Sequence, residues 1–128
     1  MLEPSYHISS GMTNEQMREQ RIRSRIVVDA YTREEQATGW YAYLHDMLEF
    51  PFTARCREEL EVSPVKTGET VNVVGMPTTA PSLRQQFVTI AWNNRELDVP
   101  LRQLEPIQAS DETEQAIADW HYWLERYG

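Results

Sequence analysis

Two carboxylates three residues apart, Asp46 and Glu49, stand just ahead of Phe50-Pro51. A helix must stop there, because proline has no amide proton to give the ladder and pushes the residue before it out of helical dihedrals. At that spacing the two acids are neighbours on a helix surface. The C-terminal end of a helix is the negative end of its dipole and carries unpaired carbonyls, so anions are disfavoured there. A hard cation relieves the cost: calcium takes about six to eight oxygens and accepts carboxylates and backbone carbonyls alike. The plainer reading of the same pair is two solvated acids, with His45 beside them as a partial screen.

Other chemistry is harder to assemble. The contiguous calcium loop with its alternating acids and central glycine is absent, so a calcium site has to be built from dispersed carboxylates. Further contributors are Glu58, Glu59 and Glu61 in a charged run, and Asp111, Glu112 and Glu114 at the start of the C-terminal segment, where helix capping is the better explanation. His7, His45 and His121 lack zinc-ligand spacing, and Cys56 has no partner in sequence that would make it a nucleophile. No phosphate loop, nucleophile elbow or dinucleotide fingerprint occurs, so no enzyme is expected.

The bulk properties narrow the class. With 128 residues, 41% of them hydrophobic and four tryptophans, the chain makes one domain with a real core. A net charge of −8 repels phosphate backbones and favours cations or basic surfaces, so no nucleic acid is expected as a partner. Arg18, Arg21, Arg23 and Arg25 nevertheless crowd one segment, read as a solvated helix face paired with nearby acids. No apolar run is long enough to span a membrane, and the N-terminal stretch lacks the pattern of a secretion signal. A lone cysteine builds no disulfide framework. A cytoplasmic protein without membrane association is expected.

The elements that must position the acids follow from capping and periodicity. Residues 1–11 read as a loose leader and 12–50 as a helical part. Thr13 and Gln16 have capping-box spacing, opening a helix from about Asn14 to about Val28 with Met17, Ile22 and Ile26 inward. Thr32 and Glu35 repeat that spacing, and Ala37, Trp40, Tyr41, Leu44, Met47 and Leu48 mark an apolar stripe on a helix ending at about Glu49. Phe52, Ala54 and Cys56 alternate as a short strand or extended connector. Residues 65–108 then change to β patterning: a strand ending at Gly75, a loop Met76 to Ser82, a hairpin around Asn93-Asn94, a single 3₁₀ turn near Leu101, and a closing strand Glu105 to Gln108. That order is the order of an SH3-like small β-barrel. Residues 110–127 form a last helix, capped by Asp111 and Glu114 and lined by Ala116, Ile117, Trp120, Trp123, Leu124 and Tyr127. The expected fold class is α+β, with two N-terminal helices and a C-terminal helix packed on the barrel.

Five segments together resemble the small acidic calcium-binding proteins of the CcbP type: IVVDAY at 26–31, GWYAYLHDMLEFPFTARC at 39–56, VNVVGM at 71–76, FVTIAW at 87–92 and VPLRQLEPI at 99–107. The resemblance runs in order over roughly residues 25 to 124. It implies calcium binding outside the helix-loop-helix scheme, as a cytoplasmic buffer or sensor. It also implies Asp46, at the acidic position of the YL-x-D motif, as first metal ligand, with Glu49 second. His45 stands where the family pattern has another acid or polar residue, which implies either a weaker site or a fold retained without the binding. The competing expectation is a metal-free interaction module that uses the barrel around Trp92, or the arginine-rich first helix, to hold a protein partner. For Trp92, packing in or on the barrel is the favoured reading over partner binding.

Overall fold

The computed structural model describes residues 11–78 and 85–128. Most of the proposed leader, and the second half of the Met76 to Ser82 loop, lie outside the described residues. Helix α1 spans Asn14–Arg21 and runs into a π-helical turn, Ile22–Ile26. Its capping box forms as the spacing predicts, with the Thr13 hydroxyl accepting from the Gln16 amide at 3.0 Å and Gln16 Oε1 accepting from the Thr13 amide at 2.9 Å. Ile22 and Ile26 are buried, but Met17 is 46% exposed. The switch to π winding shifts the inward face, so the stripe drawn from a straight helix does not extend back to Met17.

Asp29, at φ 57, turns the chain into α2, Arg33–Met47, whose Thr32/Glu35 capping box is also complete. Gly39 sits where α2 crosses the π turn, and a Cβ there would lie 2.2 Å from the Ile26 carbonyl oxygen. The two segments can touch so closely only because position 39 has no side chain. The helix ends at Met47, two residues before the expected Glu49, because Leu48 adopts extended dihedrals (φ −77, ψ 124) and buries its side chain.

Five strands follow: β1 Phe52–Cys56, β2 Thr70–Gly75, β3 Phe87–Trp92, β4 Arg95–Pro100 and β5 Leu104–Gln108. Phe52, Ala54 and Cys56 are buried in alternation, the signature of a strand with one covered face. Asn93 and Asn94 both have positive φ (49 and 65), the two-residue hairpin geometry that asparagine tolerates. A 3₁₀ turn, Leu101–Gln103, carries the chain from β4 to β5. The sheet is antiparallel, in the order β4-β3-β2-β1-β5. Among the described residues β4 and β5 occupy opposite edges and do not pair. The closed SH3-like barrel is therefore not what forms: the meander and its returning strand are present in an open five-stranded sheet.

Helix α3 covers Asp111–Tyr127. Its cap is Ser110, whose hydroxyl accepts from the Thr113 amide at 3.1 Å, and not Asp111, which lies exposed in the first turn. The shift of one residue turns Thr113 inward.

One hydrophobic cluster unites helices and sheet, including Ile22, Trp40, Leu44, Val73, Ile90, Leu104 and Trp120. Burying each large aliphatic side chain contributes about 1.5–3 kcal/mol. Trp40 is 1% exposed and lies 5.1 Å from Trp120 and 5.9 Å from Trp123, ring centre to ring centre. The edge-on contact with Trp120 adds about 0.5–1.5 kcal/mol beyond area burial, and both contacts fasten α2 to α3.

Candidate functional site

The last turn of α2 presents Asp46 to solvent. Among the described residues its carboxylate has no ion pair and no hydrogen bond, and it lines an open concavity of about 720 Å³ together with Arg25, Tyr41, Tyr43, His45 and Met47. Tyr41 is held by its hydroxyl, which donates to the Pro77 carbonyl at 2.8 Å, and its ring stacks on His45 at 5.8 Å.

Glu49 is also exposed, but it stands beyond the helix end and not on its surface. The i,i+3 adjacency that relates two residues of one helix does not apply to this pair. Its backbone is fixed differently: the Glu49 amide donates to Thr113 Oγ1 at 2.9 Å, and the Thr113 hydroxyl approaches the Met47 carbonyl at 3.5 Å. The C-terminus of α2 thus abuts the first turn of α3. The negative end of one helix dipole meets the positive end of another, which offsets part of the cost of placing acids there.

The remaining acids do not converge. Glu58 pairs with Arg102 at 3.3 Å and Glu59 with Lys66 at 3.8 Å. Glu61, Asp111, Glu112 and Glu114 are exposed, the last three in the first turn of α3, where they complement its dipole. Among the described residues no three His, Cys, Asp or Glu side chains come together as metal ligands. Asp46 and Glu49 offer oxygen donors, the type a hard cation takes, while Arg25 and His45 share the concavity with Asp46. The number of side-chain donors is low, so an ion held there depends on backbone carbonyls and water to fill its shell.

Elsewhere the ionisable groups are absorbed by packing. Cys56 is buried, with its sulfur 3.1 Å from the Glu58 carbonyl, and burial pushes its pKa up, which disfavours the nucleophilic thiolate. His121 is half-buried on α3 and its pKa is lowered to about 4, first by burial and then by the positive charge of Arg57. His7 lies outside the described residues.

The arginine segment is the largest departure from expectation. Asp119, fully buried, accepts from Arg18 Nε at 2.7 Å and from Arg21 Nη2 at 2.8 Å on one oxygen, and from Arg21 Nε at 3.0 Å and the Tyr43 hydroxyl at 3.1 Å on the other. Burial, then the Asp119 carboxylate, raises the Tyr43 pKa. Arg23 pairs with Glu19 at 3.0 Å, and Glu19 also accepts from the hydroxyls of Tyr122 and Tyr127. Half of the four-arginine cluster is thus a clamp between α1 and α3, and no solvated face. Asp119 and Thr113 were not singled out in the sequence. Both sit on the inward stripe of α3, Thr113 three residues before Ala116 and Asp119 directly before Trp120, and a polar residue at such a position is the available signal.

The chain as a whole is similar to known proteins. No curated protein sequence matches the chain. Among solved structures, CcbP of Anabaena is 38% identical with a TM-score of 0.76, the match covering 90% of this chain and 94% of that one. A calcium-binding protein in its calcium-binding form is likewise 38% identical with a TM-score of 0.76, over 88% of this chain and 93% of that one. The family model of the CcbP family, described as calcium binding, matches residues 20–124, a span that takes in the π-helical turn, α2, all five strands and most of α3, but only the end of α1. The chain therefore belongs to the CcbP family of calcium-binding proteins, and its ion is Ca²⁺.

Proposed function

We propose that this protein binds Ca²⁺ at the C-terminal end of α2, with Asp46 as the first carboxylate ligand and Glu49 as the second, and that it buffers or senses calcium in the cytoplasm. The observation that carries the reading is the state of Asp46: an exposed carboxylate in the last turn of a helix, with no protein cation or donor on it among the described residues, inside the span matched by the calcium-binding family. Every arginine that meets an acid at close range elsewhere neutralises one, and Asp46 is left available. Arg25 lines the same concavity without being paired to it. When bound, the ion supplies positive charge at the negative end of α2. The chain supplies the oxygens, holds the helix end against α3, and adds a long-range attraction for cations through its net charge of −8. With few side-chain donors, modest affinity and partial water ligation are expected.

The interaction-module alternative has less behind it. Trp92 is half-buried and packs against the core, and Arg18 and Arg21 are engaged with Asp119.

Calorimetric titration tests the site. Wild type is expected to give a calcium-binding heat, and Asp46→Ala to bind at least tenfold more weakly, with Glu49→Ala intermediate. Equal binding by wild type and Asp46→Ala refutes the assignment. Calcium at about one hundred times its Kd should also stabilise the fold by about 2.7 kcal/mol, seen as a raised melting midpoint.

A further inference from the structure

The hydroxyl of Thr113 is used to full capacity. A threonine hydroxyl has one proton and two lone pairs. Here the oxygen accepts from the Glu49 amide at 2.9 Å and from the Ser110 hydroxyl at 3.0 Å, and its proton faces the Met47 carbonyl at 3.5 Å. The residue is fully buried, in the first turn of α3, and Ser110 in turn accepts from the Thr113 amide at 3.1 Å. The two backbone groups it touches, the Met47 carbonyl and the Glu49 amide, lie on either side of Leu48, the residue whose extended dihedrals end the helix. One side chain thus fixes the peptide before Leu48 and the peptide after it.

Asp46 stands one residue before that grip and Glu49 at its far edge. Were the grip absent, the last turn of α2 could fray or continue, and either change would move Glu49 relative to Asp46 and reorient the terminal carbonyls. A buried polar group with all its partners in place sets a unique geometry, and a half-satisfied one does not.

We infer that Thr113 is a positioning residue of the calcium site, holding the Met47 carbonyl and the Glu49 amide and so fixing the backbone between Asp46 and Glu49, without touching the ion itself. This rests on the site reading given above. Supporting shells of this kind change metal affinity by about 10–100-fold when removed.

The test compares Thr113→Val, which keeps the shape and removes the hydroxyl, with Thr113→Ser, which keeps the hydroxyl. Two readouts are needed: calcium affinity by calorimetry, and hydrogen exchange of the Glu49 amide in the calcium-free protein. The valine variant is expected to exchange that amide at least tenfold faster and to bind Ca²⁺ about tenfold more weakly, and the serine variant to restore both. Wild-type affinity in a folded Thr113→Val protein overturns the inference, as does a serine variant that loses as much as the valine one. If Thr113→Val does not fold, Thr113→Cys, with a weaker and longer bond, serves instead: unchanged calcium affinity with faster Glu49 exchange again overturns it. Asp46→Ala separates the two levels. If that variant binds as wild type does, the site reading itself fails; if it loses binding while Thr113→Val keeps it, only the positioning role fails.

Discussion

Two aspartates on adjoining helices meet opposite fates. Asp119 on α3 is fully buried and saturated by two arginines and a tyrosine, while Asp46 on α2 is exposed and has no partner among the described residues. A buried carboxylate persists only when paired and hydrogen-bonded, because removal from water costs several kcal/mol per ion. An exposed one keeps its solvation and is ready to exchange water for a metal. The acidic excess of the chain is therefore no uniform property: one part organises the fold, and another is left to meet ligands.

The comparison is broken most directly by Asp119→Ala. That change strands Arg18 and Arg21 beside an apolar interior and should cost about 3 kcal/mol of unfolding free energy, read from urea denaturation. A loss under about 1 kcal/mol would mean that the clamp is dispensable and the contrast with Asp46 empty.

His121, two residues along from Asp119 on the same helix, sharpens the point with a cation. Its pKa in the folded protein is about 4 against an ordinary 6.5, lowered by burial and by Arg57. Between those values the unfolded chain binds the extra proton and the folded one does not. Stability must therefore fall as pH drops from about 6.5 to about 4, by up to roughly 3 kcal/mol, and it is unaffected by this group at higher pH. Stability measured across that window in wild type and His121→Leu should show the steeper decline in wild type. Parallel curves would place the ring in a solvated setting.

The smallest effect belongs to Asp46. Asp46→Ala should change calcium-free stability by no more than about 0.5 kcal/mol, as for other surface substitutions. A melting scan in chelator that shows a large loss would make Asp46 a structural residue and dissolve the contrast.

Much of this was legible in the residues. The capping boxes at Thr13 and Thr32, the alternation of Phe52, Ala54 and Cys56, the Asn93-Asn94 hairpin and the family motifs from Ile26 to Ile107 all specify local conformation through nearest neighbours, and those elements form. Where α2 stops was misread by two residues. Pro51 permits several endings, and burial of Leu48 with capture of the Glu49 amide by Thr113 selects Met47. Arg18 and Arg21 depart from the expected solvated face for a similar reason, since their acid, Asp119, lies far away in sequence, whereas Arg23 pairs with the nearby Glu19 as expected.

By itself the sequence determined element types, the acidic balance and the family, because these depend on local spacing and composition. Tertiary structure alone decided that the sheet stays open, that Arg18 and Arg21 close on Asp119, and that a threonine from the last helix ends the second one. Those outcomes rest on contacts between residues far apart in the chain. Their free energy comes from burial and from satisfying polar groups removed from water, and neither exists until the helices and the sheet have come together.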